Sequence, residues 1–251
     1  MLELGNLSRH FGGVKAVDTL DLTVRQGEIL GLIGPNGSGK STTVNLITGV
    51  YKPTAGTLRF KGKDIARLEP HQRTEIGIAR TFQNIRLFGH LTVWQNLWAA
   101  RVVRERGWAG FRERWLSGAG AAREQAQALL EFGGLEHKRD MLAGNLAFGE
   151  QRRLELIRAA ASGAELLLLD EPAAGMNAEE IQDLDHRIRQ LRDQGRTILL
   201  IEHHMELVME VCDRVAVLNF GRKIAEGTPA QIQQDAVVRA AYLGAEQPAA
   251  A

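Results

Sequence analysis

Short unbroken apolar runs stand out along the chain: Ile29–Ile33, Leu166–Leu169 and Ile198–Ile201. A strand with no polar position has no face to offer water, so each run predicts a strand covered on both sides, as in a parallel sheet. Val215–Leu218 adds a further strand. Between the runs the period becomes helical. Ile181, Leu184, Ile188 and Leu191 form a stripe closed by Gly195, while Gln151–Ala161 and Met205–Cys212 read as two more helices. A helix is also expected from Lys40 to a stop at Gly49, and Thr228-Pro229 reads as an N-cap followed by proline at the first helical position. Buried strands alternating with helices predict an α/β fold with a mostly parallel sheet, its ligands at the carboxyl ends of the strands.

Two regions depart from that rhythm. Thr19–Val24 alternates with period two and turns at Gln26-Gly27, the pattern of a half-exposed antiparallel sheet. Pro53–Gly56 reads as a turn and Thr57–Phe60 as a short strand. From Asn84 to Gly144 strand patterns vanish and tryptophan, arginine and alanine dominate. Ala122–Phe132 has helical spacing, and Gly107, Gly110, Gly118 and Gly120 punctuate the stretch. It reads as an inserted helical lobe, because a structureless loop of that length is uncommon inside a compact domain.

Composition narrows the class. The 251 residues are 44% hydrophobic and 24% charged, with a formal net charge of +1, so no basic field points to nucleic acid. The single cysteine, Cys212, cannot form an internal disulfide and reads as a small buried hydrophobe on a helix. Met1–Asn6, interrupted by Glu3, does not match a signal-peptide core. No apolar run approaches the roughly 20 residues of a spanning helix, so a cytoplasmic location is expected.

The chemistry begins where the first buried strand ends. Gly34-Pro35-Asn36-Gly37-Ser38-Gly39-Lys40-Ser41 fits G-x-x-x-x-G-K-[ST] without departure, with a buried strand before it and a helix after it. Glycines let the backbone wrap phosphate oxygens, the helix N-terminus adds its dipole, and Lys40 adds a full charge. Ser41 is placed to ligate Mg²⁺, and Thr42 follows it in the phosphate site. At the end of the next buried strand stand Asp170, suited to hold Mg²⁺ through a water, and Glu171, suited to be the general base for an attacking water. A solvated acidic turn is the alternative for that pair; the cradle upstream favours phosphoryl transfer. Glu202-His203-His204 ends a further strand, where His203 serves either a structural role or the γ-phosphate.

Phe82-Gln83, Asn145–Arg153, Asp170-Glu171-Pro172 and His203 come in an order and spacing that resemble ABC-transporter ATPases over nearly the whole chain. The resemblance implies a RecA-like P-loop core and antiparallel β-subdomain (1–83 and 145–251) with a helical subdomain (84–144) in one ATPase domain. It implies that Gln83 contacts Mg²⁺ and senses a permease, that His203 is the switch histidine, and that Phe11 stacks on adenine; from its residues alone Phe11 reads instead as a core residue of the β-subdomain. Leu146-Ala147-Phe148-Gly149-Glu150 stands where the family has Leu-Ser-Gly-Gly-Gln, the signature that offers N–H groups to the ATP of a partner subunit. It departs at Ala147, which removes a hydroxyl, at Phe148, and at Glu150, which adds negative charge near phosphate. Ala174–Asn177 resembles the D-loop, with Asn177 and Glu180 at capping-box spacing.

Arg9–Gly13, Arg80–Phe88, Gln151–Glu155, Glu171–Gly175, the insert around Trp108–Trp115 and Tyr242-Leu243-Gly244 resemble the branch that powers branched-chain amino acid importers. Urea-uptake and lipopolysaccharide-export ATPases share some of these phrases. That resemblance implies ATP and Mg²⁺ as ligands, attachment to integral permease subunits at the cytoplasmic face of the inner membrane, and pairing with a second, different ATPase subunit. A periplasmic binding protein would be engaged only indirectly. Ile85, Leu87, Phe88, Leu91 and Trp94 fit either a permease-docking surface or the lobe's own core. A soluble ABC ATPase acting on nucleic acid or ribosomes is disfavoured by the single cassette, the absence of heptads and the near-zero charge, and a P-loop kinase by the signature and His203.

Overall fold

The computed structural model describes residues 1–100 and 118–243. The insert around Trp108–Trp115, together with Gly107, Gly110 and Gly244, lies outside the described residues.

The strands form two sheets. In the first, β1 (Leu2–Phe11) lies between β2 (Val14–Val24) and β4 (Ala55–Phe60), and the short β5 (Lys63–Asp64) pairs with β4, all antiparallel. The second has the order β10-β9-β3-β8-β7-β6. Its strands are β3 (Ile29–Ile33), β6 (Ile78–Arg80), β7 (Leu166–Asp170), β8 (Thr197–Ile201), β9 (Arg214–Asn219) and β10 (Arg222–Gly227). All pairings are parallel except β9 with β10.

β3, β7 and β8 are buried at every position, which is why their sequences carry no polar alternation. The pleat divides them between two cores. Leu30, Leu32, Leu166, Leu168, Leu199 and Ile201 face the antiparallel sheet, together with Val44, Leu46 and Ile47 of the helix α1 (Lys40–Ile47). Ile29, Ile33, Leu167, Leu169, Ile198 and Leu200 face the other way. There they meet Leu184, Ile188 and Leu191 of a helix over Ala178–Asp193, and Leu207, Val208 and Val211 of another over Met205–Val211. Each such side chain contributes about 1.5–3 kcal/mol through burial.

In chain order the remaining helices are α2 (Pro70–Glu75), α3 (Val93–Ala99), α4 (Gly118–Gly133) and α5 (Phe148–Ala161), then α6 (Ala178–Asp193), α7 (Met205–Val211), α8 (Pro229–Gln234) and α9 (Ala236–Leu243). Among the described residues none is long and apolar enough to cross a membrane. The helical region has a core of its own, in which Val93 and Leu97 of α3 and Leu130 of α4 meet Leu154 and Ile157 of α5. Leu129 and Phe132 of α4 touch both this core and the sheet's, so the lobe is seated on the α/β layer.

Arg73 anchors the far end of α1. It is 1% exposed, and its guanidinium donates to the carbonyls of Leu46 and Ile47, with Ile47 at 2.6 Å. Burial pushes its pKa down to about 10, against the pull of Glu69 and Asp64. The helix that begins with Lys40 is thus held at its C-terminal carbonyls, and Gly49 follows it at φ 82°. Thr228 caps α8 through the Gln231 N–H, with Pro229 at the first helical position, as its sequence predicts. Cys212 is buried just past α7, and burial pushes its thiol well above the usual range.

Candidate nucleotide site

Gly34–Ser41 joins β3 to α1. Gly34 has φ 148°, and a β-carbon there would lie 2.1 Å from the Leu218 carbonyl oxygen and 2.7 Å from Ser38 Oγ. Only glycine lets the loop turn this close to β9. Lys40 is buried, and its Nζ donates to the carbonyls of Gly34 at 2.6 Å and Pro35 at 3.0 Å. Its ammonium therefore lies inside the loop formed by its own backbone. Burial pushes its pKa down, and the charges of Glu171 and Asp170 pull it up. Asn36, Gly37 and Ser41 are exposed at the rim and Thr42 is half-buried.

The ends of β7 and β8 bring the other predicted groups together. Glu171 sits at φ 48°, a backbone conformation that side chains rarely adopt, and its N–H is tied to the Ile201 carbonyl at 2.9 Å. Gln83 Nε2 donates to Glu171 Oε2 at 2.7 Å, and His203 Nδ1 lies 3.8 Å from the same oxygen. The Gln83, Glu171 and His203 side chains thus meet at one carboxylate oxygen.

Two residues without an assigned role in the sequence analysis hold this geometry. Glu202, with 0% exposure, accepts N–H bonds from Ala173 at 2.8 Å, His203 at 2.9 Å and His204 at 3.2 Å. It pins the loop after Glu171 to the loop bearing His203. Arg80 donates to Asp170 Oδ2 and to Asn45 Oδ1 of α1, both at 2.7 Å, so it ties the Asp170 carboxylate to the helix that starts at Lys40. A carboxylate directly before the strand-end histidines hinted at Glu202. Arg80 gave no such hint, since its partner is 90 positions away.

Among the described residues no group of three or more His, Cys, Asp and Glu could hold a metal ion by itself. Ser41, Gln83 and Asp170 offer hydroxyl, amide and carboxylate oxygens, a hard donor set that fits Mg²⁺ completed by phosphate oxygens and water.

The signature segment opens α5. The helix starts at Phe148, three residues before the Gln151 start expected from its pattern, because Glu150 Oε2 accepts the Ala147 N–H at 3.1 Å and caps it. The added charge of Glu150 is answered within the chain by Lys138, whose Nζ lies 2.5 Å from Glu150 Oε1. Burial raises the Glu150 pKa, but Lys138 and the Ala147 N–H outweigh it and hold the carboxyl below its usual range. The expected excess negative charge beside phosphate is therefore largely neutralised. A β-carbon on Gly149 would come within 2.1 Å of Glu180 Oε1. Asn177 and Glu180 form the expected capping box of α6, with bonds of 2.9 and 3.0 Å. Leu146 is buried in the lobe core and Phe148 is exposed.

Phe11 closes β1 at the hairpin tip and is 39% exposed. The Arg9 guanidinium lies 4.5 Å over its ring and Tyr51 meets it edge-on at 5.2 Å, so it is a surface aromatic rather than a core one. The apolar residues before and within α3 divide. Leu87 and Trp94 pack on the lobe core, whereas Phe88 is 53% exposed.

Fold and site define a P-loop nucleotide-binding protein of the α/β class. The ABC transporter family profile matches residues 17–174, and the chain belongs to that family. A second profile, for the branched-chain amino acid ATP-binding cassette transporter, matches residues 222–247. The chain is 43% identical to the high-affinity branched-chain amino acid transport ATP-binding protein LivG of Salmonella typhimurium, over 97% of this chain and 98% of that protein. It is 37% identical to the lipopolysaccharide export system ATP-binding protein LptB of Escherichia coli, over 95% of each. Among solved structures, the ADP conformation of an ATP-binding cassette of an ABC transporter superposes with a TM-score of 0.85 at 34% identity, over 97% of this chain and 98% of that one.

Proposed function

We propose that the chain is the ATP-hydrolysing subunit of an ABC importer for branched-chain or other hydrophobic amino acids. The observation that carries this reading is the convergence of Gln83, Glu171 and His203 past the carboxyl ends of β6, β7 and β8, beside the Lys40 cradle at the end of β3. Lys40 and the loop N–H groups bind the β- and γ-phosphates. Gln83 and Glu171 position a water, and Glu171 takes its proton as the water oxygen attacks the γ-phosphorus. The bond to the β-phosphate oxygen then breaks, and ADP and phosphate leave. His203 donates a hydrogen bond toward the γ-phosphate. Ser41, Gln83 and Asp170 would hold Mg²⁺, which when bound would supply charge neutralisation on the phosphate oxygens.

The signature Leu146–Glu150 faces the nucleotide of a second ATPase subunit in a head-to-tail pair. That partner is a different chain, and the pair docks on integral permease subunits from the cytoplasmic face of the inner membrane. The dimeric structure of an ATP-binding cassette bound to ADP and Pi, at 25% identity and a TM-score of 0.77, supports the pairing of two cassettes, whatever the identity of the second. The match over 222–247 favours amino-acid cargo over lipopolysaccharide.

The test is ATP-dependent uptake in vesicles containing this chain with the permease and ATPase subunits encoded beside it. Leucine, isoleucine or valine uptake that vanishes with Lys40→Ala supports the reading. Uptake of urea alone, or turnover stimulated only by a lipopolysaccharide-exporting permease, removes it.

A further inference from the structure

Arg152 and Glu155 lie one turn apart on α5 and belong neither to the cradle nor to the signature tip. Both are charged, yet they are only 7% and 3% exposed. Arg152 Nη1 is 3.5 Å from Glu155 Oε2. Glu155 Oε1 accepts the Phe82 N–H at 3.3 Å. Arg152 donates to the Phe82 carbonyl at 3.2 Å, to the Gln83 carbonyl at 2.7 Å and to the Ala174 carbonyl at 3.5 Å. Its guanidinium also lies 5.4 Å from the centre of the Phe148 ring. A β-carbon on Gly175 would come within 3.1 Å of that same ring.

One side-chain pair therefore touches the loop carrying Gln83, the loop after Glu171 and the first turn of the helix that carries the signature. A buried ion pair is not a strong stabiliser, because a well-packed apolar pair of similar volume does as well or better. Stability alone does not account for it. An arginine, with five donors in a planar fork, can hold the carbonyls of two separate loops at once.

We propose that Arg152, oriented by Glu155, is a positioning residue that makes the Gln83 loop and the signature helix move as one body. The proposal rests on the nucleotide-site reading above. The Gln83 side chain is bonded to Glu171, so phosphate and water entering there displace it. The shift reaches the Gln83 and Phe82 carbonyls, and Arg152 carries it into α5, re-aiming Ala147–Glu150 toward the partner's nucleotide.

The test is hydrogen exchange on the full chain, with and without a non-hydrolysable ATP analogue. In the unaltered chain the analogue changes protection over 82–86 and 146–150 together. In Arg152→Gln the cradle amides of 37–41 remain protected and analogue affinity stays within about twofold, but the response over 146–150 falls at least about fivefold. Arg152→Gln also takes from the buried Glu155 the cation on its own helix turn, leaving it the Phe82 and Arg86 N–H groups and the more distant charge of Arg158. The double variant Arg152→Gln/Glu155→Gln removes the carboxylate charge and regains thermal stability without regaining the signature response. A full response in the single variant overturns the proposal, as does recovery of the response along with stability in the double. Failure of the analogue to protect 37–41 in the unaltered chain overturns the nucleotide-site reading, and this inference with it.

Discussion

Glu171 occupies a left-handed backbone, φ 48°, that costs a side chain roughly 1–2 kcal/mol. It is held there by the Ile201 carbonyl, while Gln83 and His203 converge on its Oε2. Strain at a residue surrounded by such support fits a group whose position matters more than its stability. Glu171→Gln keeps the shape and one acceptor oxygen and removes the basicity together with the charge. ATP affinity should be retained while phosphate release slows by about 10²–10⁴-fold, the range of a lost general base. Measuring nucleotide binding and phosphate release on one preparation checks both halves; normal turnover would free Glu171 from that role. Lys40→Ala acts in the opposite way. Lys40 is a buried ammonium aimed into the cradle, and its loss should weaken equilibrium ATP binding by at least about 30-fold.

At the scale of elements, the start of α5 depends on a charge pair. Lys138 neutralises Glu150, and Glu150 caps the Ala147 N–H. Lys138→Ala should cost about 1 kcal/mol or less, a fall of up to about 4 °C in Tm at neutral pH. The Glu150 pKa is depressed in the folded chain. Its contribution is therefore complete above the ordinary carboxylate value of 4.5 and is lost as pH falls through the lower folded value. The Tm gap between parent and variant should close on acidification below that point; a gap that widens in acid would refute the pairing. The same element shows what the sequence carried and what it concealed. β3, β7 and β8 were legible because burial on both faces leaves an unbroken apolar run. β1 was not, since bulges shift its register between Leu4 and Leu7 and again between Leu7 and Arg9, which breaks the period of two. β6 spans only Ile78–Arg80, too short for a period to register. The cradle was legible because its chemistry is local in the chain. The Arg80–Asp170, Lys138–Glu150 and Arg152–Gln83 contacts exist only after folding joins distant segments.

At the scale of the whole molecule, the proposed function has the signature work on another subunit's nucleotide, so its departures would weaken a site this chain does not contain. Ala147 N-caps α5 without a side-chain acceptor, and the cap is completed only by Glu150 reaching back. Ala147→Ser restores two things. A serine at the N-cap stabilises the helix by about 1 kcal/mol, and its hydroxyl offers a hydrogen bond to a phosphate, worth about 1.5–3 kcal/mol. The first effect should raise the Tm of the isolated chain. The second should appear only in the assembled pair, as ATP-dependent association at least about tenfold tighter. If the partner is a different ATPase subunit, the gain belongs to that subunit's nucleotide alone, and mutating its own cradle lysine should abolish it. Mutating Lys40 in this chain should leave the gain intact. Sedimentation of the reconstituted mixture with each lysine variant in turn separates the cases: loss of the gain with Lys40→Ala, and its persistence when the other subunit's lysine is mutated, would mean that two copies of this chain pair with each other.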